Sequence, residues 1–229
     1  MSIPKLIHQT WKTSVIPENF QLLIDTWKEF HPDWTFMLWT DKMNRDFIST
    51  YYPHFLNKYD SYPANIQRAD AIRYFLLYHY GGVYIDLDFE CLQNIEDLLI
   101  YEECVFGLEP QKHCERFNAE KIICNAFMAS SQSNAFFKQL CAALNSADYC
   151  STSVLNTTGP FMVTKVYDTY DKKNEIKLLP SHLLYPITIE ESREVISGTC
   201  DETLEAKIQN AYGIHYFWGT WWEDGKPNN

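Results

Sequence analysis

Two acids one residue apart raise the first question of chemistry. The stretch YGGVYIDLDFEC, residues 80–91, sets Asp86 and Asp88 behind two glycines and a short apolar run. Along an extended strand side chains alternate, so Tyr84, Asp86 and Asp88 take one face and Val83, Ile85 and Leu87 the other. Neighbouring carboxylates repel unless a cation or a proton sits between them. Mg2+ and Mn2+ favour such hard oxygen ligands and also bind phosphate oxygens. The pattern points to a metal–diphosphate site. The plain alternative is a pair of exposed acids at a strand end. The glycine pair and the apolar run set this motif apart from a bare DxD.

A second charged pair precedes it. Asp70 and Arg73, three apart in ANIQRADAIRYFLLYHY (64–80), share one helix face. A surface ion pair is the ordinary reading. Here the surrounding Ala69, Ile72, Phe75 and Leu76 leave the helix little solvated face. Charges on a largely buried helix require partners.

The elements that must position these groups read as α/β. KLIHQTW (5–11) is a first strand. Residues 18–30 carry apolar residues at 20, 23, 24, 27 and 30, a helical spacing entered at Pro17 and left at His31-Pro32. WTFMLWT (34–40) is a second, β-rich strand. The helix over 64–80 stops at Gly81-Gly82, and VYIDL is the strand after it. A further strand is predicted at 104–109, and 122–129 as a strand entering a helix. Residues 133–145 form a helix, and the turn TTGP (157–160) leads into a helix over 161–170. Short strands are expected within 176–189. In open α/β sheets ligands bind at the carboxyl ends of the strands, where Asp86 and Asp88 fall.

The totals bound the function. A chain of 229 residues suits one large domain with a sizeable core. The net charge of −11 argues against a nucleic-acid binder, which needs a basic footprint. The 16% aromatic content suits stacking on flat ligands as well as core packing. Seven cysteines without a CxxC pair read as reduced thiols, in keeping with a reducing cytosol. MSIPKLIHQTW lacks the apolar core of a signal peptide, and no stretch approaches ~18 uninterrupted apolar residues. A soluble, cytoplasmic chain without a membrane span is expected, from a bacterium or a virus.

RADAIRYFLLYHYGGVYIDLDFEC (68–91) resembles the signature of the DXD-containing sugar transferases, glycosyltransferase family 32. IPKLIHQTWK (3–12) is similar to that family's opening strand, and HYFWGTW (215–221) to its closing motif. The resemblance implies a GT-A fold: a single domain with a Rossmann-like mixed sheet flanked by helices. A nucleotide-sugar part would occupy about 1–110 and an acceptor-side part about 111–229. It implies a metal-dependent, retaining hexose transfer using Mn2+ or Mg2+. The donor would be a UDP-hexose, a UDP-N-acetylhexosamine or GDP-mannose, and the acceptor a glycan or another hydroxyl.

Carried over by position, Asp88 and His215 would hold the metal, with Asp86 on the donor or on the metal through water. Asp70, Arg73 and Tyr84 would line the donor pocket, and Trp11 would stack on the base. Asn125, Thr220 and Trp221 would contact the donor sugar or the leaving diphosphate, and Gly159 would line the acceptor side. Asp88→Ala is then expected to abolish transfer, and Arg73→Ala to weaken donor use with the fold intact.

Three other readings use similar residues. A phosphatase of the haloacid dehalogenase type also places DxD after an apolar strand, but carries Thr or Val where this chain has Glu90. A non-catalytic nucleotide-sugar or glycan-binding module would need the same pocket without turnover. A glycosidase would set its paired carboxylates ~5–10 Å apart on different strands.

Overall fold

The computed structural model describes residues 2–146 and 153–219, and beyond these the backbone of residues 222–223 and 226–227. Strand β1 (Leu6–Trp11) leads into α1 (Glu18–Phe30). Pro17 pre-sets the helix entry with φ −59, and the buried residues Phe20, Ile24 and Trp27 form one apolar stripe. Strand β2 (Thr35–Thr40) ends on a cap: the Thr40 hydroxyl accepts the Met43 N–H and opens α2 (Asp41–Tyr51). Neither α2 nor the short α3 (Leu56–Asp60) has a counterpart among the predicted elements.

Helix α4 (Asn65–Tyr80) buries every residue from Asp70 to Leu77. Such a helix has no single apolar stripe, which is why its charged pair stands among core residues. Gly81 ends it at φ +69. At Gly82 the backbone has φ +97, and a Cβ would stand 2.4 Å from the Leu6 carbonyl oxygen. The glycine thus lets β3 (Gly82–Ile85) close on β1. Gly82→Ala should cost about 2–4 kcal/mol, from backbone strain plus overpacking. Thermal unfolding checks this, and an unchanged midpoint would show that the strands separate freely.

Strand β4 (Phe89–Cys91), α5 (Glu96–Leu99), β5 (Cys104–Leu108), α6 (Gln111–Arg116) and β6 (Ile123–Ser130) follow. After them come α7 (Ala135–Ala143), α8 (Val154–Thr157), α9 (Pro160–Thr169), β7 (Lys177–Leu179), α10 (Ser181–Leu184), α11 (Ile189–Ser197), α12 (Glu202–Ile208) and β8 (Gly213–His215). Three local expectations change. Residues 123–130 are strand throughout, because β6 pairs on both sides, with β3 and β5. The segment 176–189 holds one strand, β7, and then turns helical. The strand expected to run through Asp86 stops at Ile85, where the ladder to Phe127 ends, so Asp86–Asp88 form a turn.

The six-stranded sheet has the order β2-β1-β3-β6-β5-β7. Strand β6 is antiparallel to β3 and β5, and the other pairings are parallel. The carboxyl ends of β1, β3 and β5 therefore share one edge with the start of β6. Helices cover both faces, as the mixed α/β expectation requires. One core face holds Trp39, Phe75, Tyr84 and Phe106, and the other Ile7, Trp27, Ile85 and Phe127. The described cysteines are free, and Cys91, Cys104, Cys114, Cys124 and Cys141 are buried. Among the described residues no helix is long and apolar enough to cross a membrane.

Candidate active site

At the end of β3 the two acids leave in different directions. Asp86 faces α4. Arg73 Nη1 donates to Asp86 Oδ2 at 3.3 Å and to the Asn125 carbonyl at 2.8 Å. Arg73 Nη2 lies 3.1 Å from Asp70 Oδ1 and 3.3 Å from Asp86 Oδ1, while Nε donates to the Ala69 carbonyl. The guanidinium also sits over the Tyr84 ring, 4.5 Å from its centroid. Tyr84 donates its hydroxyl to Asp86 Oδ1 at 3.0 Å, which leaves the Thr10 hydroxyl as donor to Tyr84. Asp70 accepts from Asn125 Nδ2 and from the Thr158 hydroxyl, each at 3.0 Å. Tyr74 closes the network, donating to the Thr158 carbonyl and accepting from Asn125.

Asp88 faces the other way, toward the carboxyl-terminal segment. The antiparallel pair β4–β8 sets Phe89 opposite His215, and the Tyr216 N–H bonds the Asp88 carbonyl. Gly213 permits this close approach, since a Cβ there would stand 2.7 Å from the Glu90 carbonyl oxygen. Trp27 of α1 anchors the turn by donating its indole N–H to the Phe89 carbonyl at 2.7 Å. The result puts His215 Nε2 3.1 Å from Asp88 Oδ1, and the Trp218 N–H 2.9 Å from Asp88 Oδ2.

Burial sharpens the electrostatics. It pushes the Asp70 and Asp86 carboxyls up, and Arg73 opposes this in both. Burial acts on Asp88 in the same sense, but the adjacent His215 and the Trp218 N–H outweigh it and hold Asp88 below the usual range. Burial lowers His215, and Asp88 reverses this, so the imidazole is raised. Asp70, Asp86 and Asp88 face one arginine and one histidine, so the site has room for further positive charge.

Asp86, Asp88 and His215 each offer one ligand atom, and these atoms lie within 4.8 Å of one another. Oxygen predominates among these donors, so the donor set fits a hard divalent ion. Two carboxylates and an imidazole suit Mn2+ at least as well as Mg2+.

Of the residues singled out in the sequence, Asp70, Arg73, Tyr84, Asp86 and Asn125 meet in one network, and Asp88 with His215 forms the adjoining cluster. Trp11 stands apart in an aromatic group, 4.9 Å from Phe20, which lies 4.9 Å from Trp218. Thr220 and Trp221 lie outside the described residues. Gly159 precedes α9 and holds the turn after Thr158. Arg73 was expected to bond the donor, yet each of its guanidinium nitrogens already faces a protein acceptor. Thr10, Tyr74, Thr158 and Trp218 enter the site without having been foreseen. Thr158 lies in the TTGP turn already noted, and Tyr74 falls one residue after Arg73, so only their partners were hidden.

A family model for the glycosyltransferase sugar-binding region containing the DXD motif matches residues 17–106. The inositol phosphoceramide mannosyltransferase 2 of Schizosaccharomyces pombe is 39% identical over 175 residues, covering 75% of this chain and 48% of that protein. The matched segment belongs to the DXD-containing glycosyltransferase family. The chain spans about half the length of this fungal relative. An uncharacterized glycosyltransferase of Acanthamoeba polyphaga mimivirus is 25% identical over 82% of the chain and 74% of its own length. The fungal relative does not fit the bacterial or viral source expected from the sequence. In fold, the chain is similar to the ligand-free glycosyltransferase domain of the YGT toxin, with a TM-score of 0.53, 11% identity and coverage of 91% and 89%. The GT-A architecture follows from that likeness and from the mixed sheet.

Proposed function

We propose that the chain transfers a hexose, mannose first among candidates, from a nucleotide-sugar donor to a hydroxyl acceptor with a divalent cation. The observation that carries this reading is the Asp86–Asp88–His215 cluster beside the buried Arg73 network, at the carboxyl edge of the sheet. The mannosyltransferase relative supports mannose, and its name supports an inositol phosphoceramide headgroup as the acceptor to test first.

Asp88 and His215 would hold the cation, with Asp86 turned to the donor or reaching the cation through water. A cation there supplies Lewis-acid stabilisation of the charge developing on the leaving diphosphate. Asp86 is the more open carboxylate, 25% exposed at the side chain against 7% for Asp70. It is therefore the acid that meets sugar or ribose hydroxyls. Arg73 and Tyr84 hold Asp86 in one orientation, so its geometry is set before the donor arrives. Trp11, half-buried at the end of β1, would carry the base.

Among the described side chains at the site, none is singled out as a covalent nucleophile. That fits retention by front-face substitution, in which the leaving phosphate helps to deprotonate the acceptor. Residues 1–110 would supply most of the donor side and residues 111–229 the acceptor side, with Asn125, Thr158 and His215 crossing to the donor.

A panel of GDP-mannose, UDP-hexoses and UDP-N-acetylhexosamines, each with Mn2+ and with EDTA, tests the proposal. One donor should raise the melting temperature and release its nucleoside diphosphate only with the cation. At ~100 times its dissociation constant a ligand contributes ~2.7 kcal/mol, which thermal shift detects readily. Phosphate release from phosphomonoesters with no sugar-nucleotide turnover would instead favour the phosphatase reading. Binding of a sugar nucleotide without turnover would favour the non-catalytic module.

A further inference from the structure

One buried donor on β1 is unpaired. Gln9 is 4% exposed, and its Nε2 makes no hydrogen bond within the described structure. A dry, unpaired amide opposes folding, so native proteins retain few of them, and each calls for an explanation.

Its position on the strand supplies one. Alternation along β1 places Gln9 with Ile7 and Trp11, opposite His8 and Thr10. The opposite face is fully engaged: His8 bonds the Gly81 carbonyl and Trp39, and Thr10 bonds Tyr84. On the Gln9 face, Ile7 packs in the cluster of Trp27, and Trp11 in the cluster of Phe20 and Leu87. Leu87 separates the two acids of the motif. Trp218, whose N–H bonds Asp88, belongs to the same cluster as Trp11. Gln9 therefore sits one step behind a half-exposed indole, on the strand that neighbours the DxD turn.

We infer that Gln9 recognises the nucleobase of the donor, its Nε2 donating to a base carbonyl while Trp11 carries the base's flat face. A base offers what this place lacks: a hydrogen-bond acceptor on a flat, largely apolar body. The diphosphate belongs with the acids on the turn, whereas Gln9 lies back along β1, at the aromatic end of the site. An amide left unpaired until ligand arrives favours bases that satisfy it and rejects those that do not. The inference rests on the donor being a sugar nucleotide.

The test compares wild type with Gln9→Met, which keeps an unbranched side chain of similar length and removes the amide. Three probes are titrated in the presence of Mn2+: UDP, GDP and inorganic pyrophosphate. The unliganded variant should melt no lower than wild type, because no existing hydrogen bond is lost. Its affinity for whichever nucleotide the wild type binds should fall about tenfold or more, with pyrophosphate affinity unchanged. Nucleotide affinity within twofold of wild type would overturn the role of Gln9 and leave the donor reading standing. A melting temperature several degrees lower would also overturn it, by showing the amide already paired in the free protein. Failure of the wild type to bind either nucleotide would overturn the donor reading itself. Gln9→Leu carries the same comparison if the methionine variant does not fold.

Discussion

Asp88→Ala should lower kcat/KM for sugar transfer by about a thousandfold, or ~4 kcal/mol of transition-state stabilisation, and should remove the dependence on added Mn2+. The reasoning begins with partners. Asp88 is held by His215 and by the Trp218 N–H, and among the described residues it is the carboxylate that joins the DxD turn to β8. It remains ionised despite its burial because His215 stands beside it. A carboxylate that keeps its charge in a sheltered site is suited to hold a cation. The variant leaves Asp86 and Arg73 in contact, so the donor-facing network should survive. Melting in the absence of metal should fall by several degrees, because His215 and the Trp218 N–H lose their shared acceptor, whereas the Mn2+-induced rise in melting temperature should vanish. Asp88→Asn keeps the shape and loses the charge, and it should behave like the alanine variant in both assays. Full activity of Asp88→Ala without metal would refute the DxD assignment.

Much of this architecture was legible in the sequence because its signals are local. Pro17 and the stripe of Phe20, Ile24 and Trp27 mark α1 to the residue. The glycine pair marks the end of α4, and the structure shows why both are glycine: Gly81 needs a positive φ, and Gly82 must let β3 approach Leu6. What sequence alone missed depends on distant partners. Alternation predicted that Asp86 and Asp88 would share a strand face. The strand instead ends at Ile85, and the turn sends Asp86 to Arg73 and Asp88 to His215. The acids still share a cluster, but a turn holds them together. Thr158 reaches Asp70 across 88 positions, and no local pattern announces such a contact. Helices α11 and α12 do carry local signals, in their caps: Thr188 with Glu191 forms a capping box, and Asp201 caps through its side chain. The site residues were therefore easier to find than their partners. Chemistry selects rare residue types, whereas packing selects neighbours from anywhere in the chain.

Arg73→Ala should be a stability variant as much as an activity variant, against the expectation from sequence that the fold would stand. The side chain is 4% exposed and lies between Asp70 and Asp86. Its nitrogens face both carboxylates and the carbonyls of Ala69 and Asn125. Truncation would leave two buried acids without their shared cation, a change that typically costs 3–5 kcal/mol. In a chain of this size each kcal/mol moves the melting temperature by roughly 2–4 °C, so a fall of about 10 °C is expected. Part of the cost can be relieved by protonation. Burial already pushes both carboxyls up, and removing Arg73 takes away the group that opposes this in each. Arg73→Lys should recover only part of the loss, because one ammonium cannot reproduce the planar fork that meets Asp70, Asp86 and the Asn125 carbonyl together. The informative measurement is melting of the three proteins beside donor affinity. If Arg73→Ala melts with wild type and loses only donor binding, the arginine contacts the donor directly. If melting falls and Asp70→Asn in the same background adds little further loss, Arg73 acts by holding the carboxylates in place. The coupling of Arg73 with Asp70 in that double-mutant cycle then measures how far the active-site geometry and the core depend on the same buried ion pair.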